Sequence, residues 1–277
     1  MQTSQLLSAA ALALALSFGS VAHAQACPTS GTRLTIDNWS LSGNDKLYLG
    51  QGQLGGAGTW YVTAVIWDAK NKRYTSRFLK NGNAYLTGGK LTANSFLCLG
   101  AGHDYLQVVT ADTSLPGQNV LKPMNFNGYM LSVYAEAGAS HLDGGPGRIW
   151  FMGSSDASCN YVVSYTGGYR PSETYIFGGP SNDFLAGGWS AADRSYGGDG
   201  NDTMFDRAGT SDWMYGNAGS DCLEDEDLRY SALSCGAGSD FVFGGTSSDG
   251  SCETATVCPA TDDVDLICGF ESLFPGS

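Results

Sequence analysis

Four aspartates recur at one interval in the second half of the chain. Asp183, Asp202, Asp221 and Asp240 stand 19 residues apart, and two positions after each comes an apolar residue: Leu185, Met204, Leu223 and Val242. Within each 19-residue row a second aspartate follows ten residues on, at Asp193 and Asp212; the third row has Ser231 there, and the fourth has Asp249 one place early. Glycines lead the rows at Gly178-Gly179, Gly197-Gly198, Gly216 and Gly236. Carboxylates repeated beside glycine turns, which expose their carbonyls, are the oxygen donors a hard cation requires. A linker of the same Gly, Asp and Ser composition would have no register.

The elements that position these residues follow from the row. Each glycine turn leads into a short x-apolar-x strand that points one side chain inward and its neighbours outward. Two turn-strand units per row make one coil, with strands on two walls and turns on two edges. The predicted fold is therefore all-β, a parallel β-solenoid of 19-residue coils. Stacked coils lie about 4.8 Å apart, so the four aspartates form a file along one edge. Neighbouring charges at about 5 Å repel by roughly 3 kcal/mol at an effective dielectric of 20, and a bound cation removes that repulsion.

The stretch GGDGNDTMF (Gly197 to Phe205), with its variants GNAGSDCLE and CGAGSDFVF, resembles the haemolysin-type (RTX) calcium-binding nonapeptide repeat, clearest over residues 178–253. The resemblance implies a parallel β-roll holding Ca2+ between successive turns. Asp183, Asp202, Asp221 and Asp240 would be ligands on the first edge, and Asp193, Asp212 and Asp249 on the second. Asn182 and Asn201 would contribute backbone carbonyls. The chain departs from the family in having cysteines and a signal-type N-terminus. It also has a ten-residue second half-row, in which the glycine pair Gly187-Gly188 is replaced by Asp206-Arg207 and Asp225-Glu226. The second edge is accordingly expected to be irregular and to bind fewer ions.

Residues 1–24 carry no Lys, Arg, Asp or Glu, run apolar from Leu6 to Phe18 and end in Ala22-His23-Ala24, which reads as a Sec-type signal peptide and places the protein outside the cell membrane. The apolar run is too short to span a bilayer. Cleavage before Cys27, as in a lipoprotein, is a weaker reading. Eight cysteines in an exported chain predict up to four disulfides. Three lie before residue 178 and five after, so full pairing requires at least one bridge between the two parts. Charge is divided in the same way: residues 25–177 hold 9 acidic and 11 basic groups, whereas residues 178–277 hold 18 acidic and 3 basic. This argues against a nucleic-acid partner, which needs a basic surface, and for a cation partner in the second half.

The expected organisation is a signal peptide (1–24), an irregular β-rich or solenoid part with a cap (25–177), calcium-binding coils (178–253) and a disulfide-pinned C-terminal cap (254–277). Copies of the same turn occur early, in SGNDKLYLG (Ser42 to Gly50) and LGAGHDYLQV (Leu99 to Val108), and TWYVTAVIW and GYMLSVYA alternate as strands do. A separate small β-sandwich is the competing reading for this half. No HExxH, GxSxG or Cys-x-x-Cys occurs. His103 with Asp104, and His141 with Asp143 and Arg148, are the only polar clusters that could act as acid or base. His103 also fits the variable place of a calcium-type turn. The acidic run Glu224 to Asp227 reads as a solvated face, and the tryptophans read as packing residues before sugar platforms. The function expected is a non-catalytic secreted calcium-binding protein with a structural or adhesive role, polysaccharide or cell-surface components being candidate partners. The alternative is a carbohydrate-active β-helix enzyme, a lyase or epimerase.

Overall fold

The computed structural model describes residues 26–41, 43–53, 58–145, 147–164, 174–188, 192–206, 212–225, 232–244 and 250–254. The signal-type segment, Asp249 and residues 255–277 of the expected cap lie outside the described residues.

Two walls of parallel strands run the length of the molecule. Wall one is β1 (Thr32–Ile36), β6 (Ser95–Cys98), β8 (Met130–Glu136), β10 (Arg148–Ser154), β12 (Thr174–Gly179), β14 (Arg194–Asp199), β16 (Trp213–Ala218) and β18 (Ala232–Ala237), each parallel to the next. Wall two is β2 (Lys46–Gln53), β7 (Asp104–Val108), β9 (Ser140–Asp143), β11 (Asn160–Val163), β13 (Phe184–Ala186), β15 (Thr203–Asp206), β17 (Cys222–Asp225), β19 (Phe241–Phe243) and β20 (Glu253–Thr254). The chain alternates between the walls, which makes it a parallel β-solenoid, as its repeat predicts. From Tyr175 on, register partners such as Tyr175, Arg194, Trp213 and Ala232 recur every 19 residues. Upstream the coils are uneven: Leu131 faces Ile149, and Ile149 faces Thr174.

Antiparallel strands close the N-terminal end. β3 (Trp60–Asp68) pairs with β2, β4 (Arg73–Asn81) pairs with β3 and with β1, and β5 (Ala84–Tyr85) adds to β4. The segment β2-β3-β4-β1 thus joins the first strands of the two walls, so neither wall begins on an open edge. The described strands of the first half belong to these ladders and do not form a separate sandwich.

The core tapers. In the first half several strands send two or three apolar side chains inward, as β8 does with Leu131, Val133 and Ala135, and β10 with Ile149 and Phe151, whereas β9 and β11 send one each, Leu142 and Val162. In the 19-residue coils each sends one: Ile176, Met214 and Leu233 on wall one, with the small polar Ser195 in the same column, and Leu185, Met204, Leu223 and Val242 on wall two. The apolar column read from the sequence is thus the inner line of wall two.

Disulfides pin both ends of the described fold. Cys27–Cys98 ties the segment before β1 to the end of β6, and Cys235–Cys252 ties β18 to the approach to β20. Cys159 is also bonded.

Candidate metal centre

The first edge stacks the turns that lead from wall one to wall two. Asp183, Asp202, Asp221 and Asp240 sit at its inner corner, each no more than 1% exposed. The first three donate their backbone N–H to the Oδ1 of the aspartate one coil further on: Asp183 to Asp202 at 2.8 Å, Asp202 to Asp221 at 2.9 Å, and Asp221 to Asp240 at 2.9 Å. Their carbonyls accept from the next coil's strand, as Asp202 O does from Cys222 N at 2.8 Å. The second oxygen of each carboxylate, Oδ2, is buried without any protein donor. Four buried oxygens in one file, each lacking a donor, are the fit a cation requires, because a buried carboxylate must be paired, protonated or bound to a metal.

The turn backbone packs tightly enough to share one ion between coils. Gly200 and Gly219 hold φ of +125° and +142°, and a Cβ on either would collide with the backbone of the turn before it, at the Ser181 and Gly200 carbonyls. Only glycine meets both conditions. Asn182 and Asn201 are exposed, and their side chains link successive turns: Asn182 Oδ1 accepts from Asn201 N, and Asn201 Oδ1 from Ser220 N, each at 2.8 Å. That ladder continues upstream in a different residue. His103 N donates to Asn44 Oδ1 at 3.0 Å, and His103 Nδ1 accepts from Ala139 N at 3.2 Å. His103 is therefore a turn-stacking residue, and its ring nitrogen is held by that bond.

The aspartate column also extends upstream. Asp45 and Asp104 occupy it two strands from the N-terminal end, with Asp45 N donating to Asp104 Oδ1 at 3.1 Å. Ser140 and Asn160 follow, and the carboxylates resume at Asp183. Asn160 ends the four-aspartate file without adding charge, since its backbone N and Nδ2 both donate to Asp183 Oδ1, at 2.6 and 3.0 Å.

With no ion bound, burial drives these acids towards their neutral form. Asp202 is pushed up to about 9 by burial and then by the charges of Asp183 and Asp221. Asp183 and Asp221 rise to about 7, burial outweighing the hydrogen bonds they accept. Asp104 rises to about 8, again chiefly by burial.

The second edge is built differently. Asp193 and Asp212 are each 2% exposed, and Asp193 N donates to Asp212 Oδ1 at 2.6 Å. Asp193 is fully hydrogen-bonded, its Oδ1 by Thr174 N at 3.1 Å and its Oδ2 by Gly188 N at 2.5 Å. Asp206 and Asp225 are also 2% exposed. They are register partners at the ends of β15 and β17, in the column that Gly187 holds one coil earlier. Sequence reading placed Asp225 in a solvated run and took Asp206 as a lost glycine. The overlooked signal is strand alternation: Asp206 lies two residues after Met204, and Asp225 two after Leu223, so both share the inner face of their strands. Among the described residues no three acidic side chains bring their ligand atoms within 4.8 Å of one another. An ion on either edge would therefore draw carboxylates from successive coils and add turn carbonyls to them.

Residues 175–191 and 190–223 match the RTX calcium-binding nonapeptide repeat, in four copies. The chain carries RTX repeats over that segment. The coil geometry of the RTX match continues beyond it, through Asp240 and β19. No curated protein and no solved structure shows a significant match to the chain.

The polar clusters outside the RTX segment are dispersed. His141 lies between the rings of Tyr105 and Tyr161, with centroids 4.7 and 4.5 Å away, and burial lowers it to about 4, so it is neutral at physiological pH. Asp143 is raised to about 6 by burial and accepts from Gln107 Nε2 at 3.1 Å. Arg148 begins β10 on the other wall. The aromatic side chains stack on one another along the axis, as Phe177, Tyr196 and Tyr215 do with interplanar angles of 4° and 5°, so those ring faces are occupied by neighbouring rings. Trp150 packs on Tyr175, and Arg194 lies between Tyr175 and Trp213. A cleft of about 340 Å³ is lined by Asp37, Thr63, Arg77, Phe78 and Gln118, on the antiparallel cap and away from both aspartate edges. No helix among the described residues is long and apolar enough to cross a membrane.

Proposed function

We propose that this chain is a secreted, non-catalytic calcium-binding β-solenoid with a structural or adhesive role at the cell surface or in the matrix. Calcium makes its second half rigid. The observation that carries the reading is the file Asp183-Asp202-Asp221-Asp240, whose four buried Oδ2 atoms have no protein donor. Calcium takes oxygen ligands at about 2.3–2.6 Å and would supply the positive charge that the file lacks. Asp183, Asp202, Asp221 and Asp240 would hold it on the first edge. Asp193 and Asp212 would serve on the second, together with carbonyls of the glycine turns. The disulfides fit an oxidising compartment outside the cell membrane, where calcium is abundant.

The test is a calorimetric calcium titration of the disulfide-bonded chain, with circular dichroism and thermal melts in calcium and in chelator. Saturable binding that raises the melting temperature, reversed by chelator, is expected. Identical melts in calcium and chelator would overturn the reading.

A further inference from the structure

The first edge holds two more orphaned oxygens, well upstream of the RTX match. Asp104 opens β7 and Ser140 opens β9, and the two are register partners in adjacent coils. Both are fully buried, at 0% exposure. Asp104 Oδ1 accepts from Asp45 N at 3.1 Å, on the side of the preceding coil. Its Oδ2 and the Ser140 Oγ have no hydrogen-bond partner, so the hydroxyl that could donate to the carboxylate does not reach it. The charges that bear on Asp104 are those of Asp45 and Glu136, both acids. A carboxylate and a hydroxyl buried in one column without partners call for a ligand that both can hold.

The turns beside these oxygens repeat the backbone of the RTX coils. Gly43 N donates to Ala101 O at 2.9 Å and Gly102 N to Ala137 O at 2.8 Å, as Gly200 N does to Ala218 O at 2.8 Å and Gly219 N to Ala237 O at 2.9 Å. Gly102 and Gly138 hold φ of +144° and +101°, and a Cβ on either would collide with the glycine carbonyl one coil before it, at Gly43 and Gly102. The likeness is confined to the second half of the turn, since Leu99 stands in the place of Gly197.

We propose that Asp104 and Ser140 hold a calcium ion between the coils of β7 and β9, with turn carbonyls completing its oxygen shell. Calcium takes about six to eight oxygens in flexible geometry, and its affinity is tuned by the charge of its ligands. Ser140 supplies a neutral oxygen where an RTX coil has a second carboxylate, so this site binds calcium more weakly than the RTX file does. The apolar core folds the strands around it either way, and the ion fastens their turns. This inference rests on the calcium-binding reading and extends it beyond the RTX segment.

The experiment combines equilibrium dialysis against calcium with calorimetry on the full disulfide-bonded chain, comparing wild type with Asp104→Asn, Ser140→Asp and Asp202→Asn. Asp104→Asn is expected to bind one ion fewer than wild type, from the weaker class, while the tighter class keeps its affinity. Ser140→Asp puts a carboxylate where the RTX coils have one and is expected to tighten the weaker class at least about tenfold. Asp202→Asn is expected to weaken the tighter class. If Asp104→Asn and Ser140→Asp match wild type in ion count and affinity while Asp202→Asn loses binding, the upstream site is overturned and the calcium-binding reading stands. If wild type binds no calcium, both fall. Should Ser140→Asp lose its β-sheet dichroism, the near-isosteric Asp104→Asn decides the matter, and a wild-type ion count in that variant overturns the proposal.

Discussion

Asp202 has an aspartate neighbour on each side, and its ionisation is opposed more than that of Asp183 or Asp221. Its ordinary value of 3.8 is raised to about 9 when no ion is bound. A carboxylate raised on folding favours the folded state while protonated. The contribution is complete below about pH 4 and is lost as the pH climbs through the folded values, near 7 for Asp183 and Asp221 and near 9 for Asp202. Melting temperature in chelator is therefore expected to fall between pH 5 and pH 9, and the gain on adding calcium to widen over the same range. A pH-independent melt in chelator would contradict this. The same reasoning predicts that Asp202→Asn stabilises the chain in chelator at pH 8 while weakening first-edge calcium binding there. Asp202→Ala is expected to weaken calcium binding at least tenfold more than Asp193→Ala does, because Asp193 has both oxygens satisfied by backbone N–H groups. The first-edge residues were legible in the sequence because period, glycine and aspartate coincide there. Asp206 and Asp225 were not, since next to Arg207 and Glu226 a carboxylate looks solvated, and only its parity along the strand reveals that it points inward.

The turns and strands divide the work of holding a coil. A turn contributes close stacking, which the glycine positions allow. Gly219→Ala would force an L side chain into φ of +142° against the Gly200 carbonyl, and the strain alone is about 1–3 kcal/mol. A lowered melting temperature in calcium with reduced calcium affinity is the expected result, and an unchanged melt would refute the stacking argument. A strand contributes one inward side chain, so Leu223→Ala is expected to cost about 2–5 kcal/mol, measurable by denaturant titration in saturating calcium. Conservative exchange of Leu223 for Met, the residue at the same place in β15, should cost less than about 1.5 kcal/mol. At this scale the short strands were readable from the apolar column. The antiparallel cap was readable only in part: the alternation of TWYVTAVIW marks a strand, but nothing local tells that β3 turns back on β2 and that β4 reaches across to β1.

Over the whole molecule, hydrophobic burial and carboxylate burial change places. The first half has strands with two or three inward apolar side chains and a closed end, whereas the 19-residue coils have one per strand, beside files of buried acid. Burial of apolar area stabilises the former without help, while the latter depends on counter-charge. Hydrogen exchange in chelator is accordingly expected to show rapid exchange in β13 to β19 and retained protection in β2, β3 and β8; uniform protection would contradict it. Disulfide reduction should add to the loss near β18, where Cys235–Cys252 closes the described fold. The closed N-terminal end has a further consequence. β3 and β4 occupy the starting edges of both walls, and the aspartate coils lie furthest from that closed end, each packed only on its neighbours, so that they can loosen coil by coil while the closed end stays folded. Falling calcium would therefore shorten the ordered length of the molecule in steps instead of melting it at once, making it a graded gauge of the ion around it.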